Sequence, residues 1–168
     1  MVLSPLKQIL LQGYKQHMIQ FLQQNPDYID EAFDLALGND QPFSWRSAWL
    51  LTDCLEQNDV RITSKVNSLL AAFDDKKEGH QREFLKLLLL AELNDETNGI
   101  VFDKAVKIWS KLKNQPSLRF TALRTMIKIA EKYVELKQEI FFLLDEHYLK
   151  SLSPGIKNAA LKLKKELK

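Results

Sequence analysis

The chain is poor in the residues that punctuate β-structure and in those that build cross-linked or reactive sites. Its 168 residues include only five Gly and five Pro, too few turn formers for a sandwich or barrel of short strands. Cys54 is the single cysteine, so no intrachain disulfide can form, and a reducing, cytoplasmic setting is expected. The three histidines, His17, His80 and His147, lie far apart with no metal-ligand spacing, and each reads as a helix-surface or helix-start residue. HExxH, CxxC, an EF-hand loop, GxSxG and a phosphate-binding loop are all missing. No metal, cofactor or catalytic residue is therefore expected, and the chain reads as a non-enzyme. The longest apolar run, residues 87–91, falls far short of the ~20 residues that a bilayer span requires. The opening "MVLSPLKQILLQGYKQHM" is broken by Lys7 and Lys15 and does not read as a secretory signal.

What remains is dominated by Leu, Lys, Glu, Gln and Ala, the residues with the highest helix propensity. Apolar residues make up 45% of the chain, enough for a packed core. No segment alternates with a period of two, so the expected class is all-α. Helix punctuation recurs along the whole length. Pro5 opens a first helix expected to run to about Gln24; Gly38 reads as a helix stop after an acidic start at Asp27; Pro42 opens the next helix, with Ser44 as its N-cap; Pro116 opens another. Nine helices with short connections are predicted.

Lining up the helices that follow a Pro or Gly break exposes a repeat: "PFSWRSAWLL", "GHQREFLKLL", "PSLRFTALRT" and "SPGIKNAALK". A basic residue stands in the first turn of each, Arg46, Arg82, Arg119 and Lys157, followed by small or apolar residues at the third and fourth places: Trp49 and Leu50, Leu85 alone, Ala122 and Leu123, and Ala160 and Leu161. Another helix lies between each of these and the next. The unit is a helix pair of about 37 residues, repeated four times behind one N-terminal helix. A lone pair cannot bury its apolar face, but stacked pairs share a continuous core. "FLKLLLLAEL" is apolar nearly all round, as a helix sandwiched by neighbours must be. The last helix keeps only a strip of Ile156, Ala160, Leu163 and Leu167 among its lysines, as a cap with one face in water would.

This pattern of an apolar residue, Arg, then small and apolar residues in the second helix of each pair resembles HEAT repeats, of the armadillo-like α-α superhelices. "SWRSAWLL" is also similar to a group of small bacterial HEAT-like proteins. The resemblance implies one domain over 1–168: an N-terminal helix at 1–25, then pairs at 27–58, 60–94, 98–133 and 135–168. It implies a right-handed superhelix with the second helices lining the inner curve. It also implies that each second-helix Arg pairs with an Asp in the preceding turn. Only Asp40, six residues before Arg46, matches; the equivalent places hold Lys76, Lys113 and Ser151. Arg119 stands in line with Leu123, Met126 and Ala130 on an apolar stripe. It is expected to lay its stem on apolar neighbours and send its guanidinium to the seam between repeats, to meet a helix C-terminus or a carboxylate.

The charge is lopsided. Residues 1–100 hold 9 Lys+Arg against 15 Asp+Glu, and residues 101–168 hold 15 against 7. Asp27, Asp30, Glu31 and Asp34 form an acidic stripe of the kind a helix N-terminus favours. Arg124, Lys128 and Lys132 share one helix side, as do Lys104, Lys107 and Lys111. Trp45 and Trp49, one turn apart, are either an aromatic contact patch or core packing, and core packing is the stronger reading. The candidate partner-binding residues are Arg46, Arg82, Lys86, Arg119, Arg124, Lys128, Trp45 and Trp49. The expected function is a non-catalytic protein-interaction or scaffold module that holds a protein segment. The alternative is a nucleic-acid-binding module resembling the DNA-alkylation-repeat proteins, which cradle duplex DNA on a basic face. No membrane partner is expected.

Overall fold

Helix starts are written into the chain wherever a side-chain oxygen or a proline can stand in for the missing first-turn partners. The computed structural model describes residues 1–168, with twelve α-helices and no strand. Ser4 caps α1 (Pro5–Gln12), accepting a hydrogen bond from the Lys7 amide at 3.2 Å. Asn94 caps α8 (Asp95–Ser110), accepting from the Thr97 amide at 2.8 Å. Pro116 and Pro154 are the first residues of α9 (Pro116–Lys132) and α12 (Pro154–Glu166).

The count exceeds nine because three expected helices are broken. The first ends at Gly13 and restarts as α2 (Lys15–Gln24). A Cβ on Gly13 would lie 2.6 Å from the Ile9 carbonyl oxygen, so the chain can turn there only without a side chain. The second break divides α5 (Val60–Thr63) from α6 (Val66–Ala72), and the third divides α10 (Leu136–Phe142) from α11 (Glu146–Leu149). Ser44 is not a cap, because α4 (Phe43–Cys54) begins one residue earlier and Ser44 is fully buried. Gly38 does end α3 (Ile29–Leu37), as expected.

The helices form two compact units, Met1–Glu92 and Leu93–Lys168. In the first, α3 packs on α4, and that pair stacks on the next through α4 against α7 (Glu78–Leu90) and α3 against α6. First helices thus meet first helices, and second helices meet second helices. α1 and α2 close on α4. Small buried residues, Ala32 and Ala36 on α3 and Ser44, Ser47 and Ala48 on α4, suit a close approach of these two helices. α7 buries Phe84, Leu85, Leu87 and Leu88 completely, as its nearly uniform apolar surface requires. Each such side chain contributes roughly 1.5–3 kcal/mol of burial.

In the second unit α8 pairs with α9, and α9 packs against both α10 and α12. Val101, Ala105 and Trp109 on α8 and Ala122, Leu123, Met126 and Ala130 on α9 are fully buried. α12 fully buries only Ala160, in keeping with its narrow apolar strip. No helix is long and apolar enough to cross a membrane.

Candidate functional site

The repeated basic residues were the first candidates, and geometry separates them. Arg46, Gln81, Arg119 and Lys157 are each the fourth residue of their helix. From that place a side chain can reach the end of an earlier helix, whose last carbonyls have no partner in their own helix. Arg46 Nη1 donates to the Leu10 carbonyl, and at 3.5 Å to that of Leu11, at the end of α1. Gln81 Nε2 donates to the Phe73 carbonyl at 3.2 Å, just beyond α6. Lys157 meets the Glu146 carboxylate of α11 at 2.8 Å. The sequence register placed Arg82 in this series; the structure puts Gln81 there, one residue earlier. Arg82 instead joins Lys86 in ion pairs with Glu83, at 3.3 and 3.1 Å. Glu83 is fully buried, so these two half-exposed cations neutralise a carboxylate that water does not reach. Asp40, the one expected ladder acid, pairs with Lys7 at 3.7 Å rather than with Arg46.

Arg119 is 1% exposed, and its guanidinium is spent within the second unit. Nε donates to the Trp109 carbonyl at 2.8 Å, Nη2 to the Tyr148 carbonyl at 2.6 Å, and Nη1 to Ser151 Oγ at 2.9 Å. The guanidinium lies 4.6 Å from the centre of the Trp109 ring, whose Nε1 donates to the Leu143 carbonyl at 2.7 Å. The seam residue thus meets helix-end carbonyls, one of the two partners its stripe position predicts. Burial pulls its pKa below the ordinary arginine value, but a guanidinium stays charged throughout the accessible pH range. Trp109 went unremarked in the sequence, although its spacing from Val101 and Ala105 put it on the buried face of α8.

The first unit has a different seam. Lys76, 8% exposed, reaches back to the end of α3 and donates to the Leu37 carbonyl at 2.8 Å, to the Gly38 carbonyl, and to Asn39 Oδ1 at 2.8 Å. His80 lies beside it, only 3% exposed, with Nε2 unpartnered and its ring edge-on to Phe84. It does stand at a helix start, but buried rather than at the surface. Burial first, then the Lys76 charge, push the His80 pKa down to about 4; the Ala36 carbonyl alone favours the protonated form. Cys54 is equally ill suited to reactivity: burial, and then Asp53, raise its thiol pKa to about 11.

The remaining candidates lie toward solvent. Trp45 is 41% exposed, contrary to the core reading, and Trp49 is half-buried beneath the Lys15 ammonium. Lys128 is exposed and paired with Glu131 at 2.8 Å; Arg124 is exposed without an ion pair. Lys132 is held by Asp95 at 3.0 Å, and Asp95 also accepts from the Tyr133 hydroxyl. These donors, Tyr133 first, hold the Asp95 carboxyl below the usual range.

Two concavities open on the second unit. One, of about 270 Å³, is walled by Phe102, Ile129, Tyr133 and Leu136 and rimmed by Asp95, Asp103, Glu135 and Glu139. The other, of about 570 Å³, lies where α10 meets α12, with Phe141 and Leu161 as its apolar lining and Lys162, Lys164, Lys165 and Lys168 around it. The sequence exposed these lysines but not the aromatic ring beside them, which comes from a different helix.

An all-α chain of stacked helix pairs, with second helices packed on second helices inside the first unit, is a helical-repeat protein. The HEAT repeat domain model matches residues 4–167, and the chain belongs to that family. Neither the curated proteins nor the solved structures contain a match.

Proposed function

We propose that the protein is a non-catalytic interaction module that binds a protein segment on a preformed surface. The observation that supports this is the division of labour among its polar groups. The seam cations Arg46, Lys76 and Arg119 are consumed by helix ends, which stiffens the frame. The second unit meanwhile leaves two open concavities in which apolar walls are combined with charge. Such surfaces, with little reorganisation needed, suit recognition of a segment of another chain. Trp45, Arg124 and Lys128 are the earlier candidates whose side chains remain accessible to a partner. HEAT repeats suggest an interaction or scaffold role in general, and the half-buried single thiol accords with a reducing, cytoplasmic setting.

Nucleic acid is the competing ligand. The second unit holds 15 Lys+Arg against 9 Asp+Glu, while the first holds 9 against 13. The acids interleaved with the lysines favour a peptide over a phosphate backbone. A displayed random-peptide library panned on the whole protein tests this, with labelled duplex DNA measured in parallel. Enriched peptides, and duplex binding that is absent at about 50 mM salt, are expected. Duplex binding that weakens by orders of magnitude toward about 200 mM salt, with no peptide enriched, would replace this reading.

A further inference from the structure

We infer that the concavity between α10 and α12 is a docking site for an acidic segment carrying one large apolar side chain; this rests on the interaction reading above. Lysines in the last turns of a helix need no ligand to explain them, since they complement the helix dipole. Three features here go beyond that. The first is the shape: about 570 Å³ of open space with Phe141 and Leu161 in its lining, enough for a side chain to enter rather than lie across.

The second is the state of the ammonium groups. Lys164 is fixed, donating to the Leu144 carbonyl at 2.9 Å with its nitrogen 4.6 Å from the centre of the Phe141 ring. It anchors one wall. Lys162, Lys165 and Lys168 are exposed and make no ion pair within the chain. No Asp or Glu side chain lines this concavity, whereas elsewhere in the unit Lys128, Lys132 and Lys157 have acids as partners. An occupant must therefore bring its own negative charge.

The third feature is the apolar surface next door. Phe142 is 65% exposed, its ring edge-on to that of Phe141 at 6.5 Å between centres. An extended polyanion would gain nothing from Phe141, Leu161 or Phe142. A flat anionic membrane would meet the lysines but could not fill the concavity. The occupant that uses all three features is a segment with an aromatic or aliphatic anchor flanked by Asp or Glu. The apolar contact supplies affinity, and the charges supply on-rate and selectivity.

The test uses the full-length protein and the same displayed peptide library, together with the variant K162E/K165E. Both positions are exposed, so the variant should fold, and far-UV circular dichroism will check this. Enriched peptides should carry an apolar residue among acids. They should bind the variant at least ten-fold more weakly by fluorescence anisotropy, while polyglutamate binds the wild type poorly. L161A should weaken binding without altering its salt dependence. Enriched peptides that are not acidic, or that bind the variant as tightly as the wild type, would overturn the site but leave the interaction reading standing. Polyglutamate, duplex DNA or phosphatidylserine vesicles bound as tightly as the best peptide would overturn the anchor. No enriched peptide at all would overturn the interaction reading itself, and this site with it.

Discussion

The two units close their seams with the same physics and different residues. In the first, Lys76, standing two residues before α7, gathers the Leu37 and Gly38 carbonyls and Asn39 from one turn. In the second, Arg119, inside α9, spans the Trp109 carbonyl of α8, the Tyr148 carbonyl of α11 and Ser151. An ammonium is a point charge whose donors suit acceptors clustered on one side. A guanidinium is a planar fork that can serve acceptors lying in different directions. The seam requires a buried donor at a helix end, and the spread of the acceptors decides which cation serves. A fixed motif position matters less: Lys76 fills this role from outside the repeated register.

Changing Arg119 should have the largest effect. R119A strands helix-end carbonyls and removes the group stacked on Trp109, and it should lower unfolding free energy by about 4 kcal/mol in urea titrations. R119K keeps the charge but cannot span both carbonyls, so most of the loss should remain. A lysine variant as stable as the wild type would show that the two staples are interchangeable and would break the comparison.

Acid should weaken the first unit next. His80 has a folded pKa of about 4 against an ordinary 6.5. Between these values the unfolded chain takes up a proton that the folded chain refuses, so stability falls as pH drops through that window. The loss reaches about 3 kcal/mol at its acid end. Urea midpoints measured from pH 7 to pH 4 should show it, and H80F should remove it. Trp45 and Trp49 report the first unit and Trp109 the second, so single-tryptophan variants can localise the effect.

K76M should cost about 2 kcal/mol at neutral pH by leaving the Leu37 and Gly38 carbonyls without their donor. It should also shrink the acid effect, because removing the neighbouring charge lets the His80 pKa rise. An unchanged pH profile in K76M would separate the two residues. The smallest change is expected from K157A. Lys157 occupies the same helix position as Arg119, but its partner Glu146 is largely exposed, and such a pair contributes at most about 0.5 kcal/mol. A melting temperature as low as that of R119A would mean that position, not burial, sets the energy.

Much of the frame was legible because it rests on local signals. Proline starts, the Gly38 stop, the all-round apolar α7 and the helix-pair period all follow from periodicity and capping. The break at Gly13 was not, because the clash that demands glycine involves the Ile9 carbonyl in three dimensions. The off-by-one at Arg82 has a similar origin. A basic residue looks equivalent in a linear alignment, but Gln81 holds the angular position from which a side chain reaches the preceding helix. Of the proposed docking site, the lysines were visible and Phe141 was not linked to them, since α10 and α12 meet only when folded.

By itself, then, the sequence determined that this chain is helical, built of paired helices, and unequal in charge between its two parts, because helix propensity, capping and composition act over a few residues. Only the tertiary structure decided which cations are buried staples and which face outward. That depends on where helix ends arrive relative to one another, and no local pattern records the distance from Arg119 to Tyr148 or from Lys164 to Phe141.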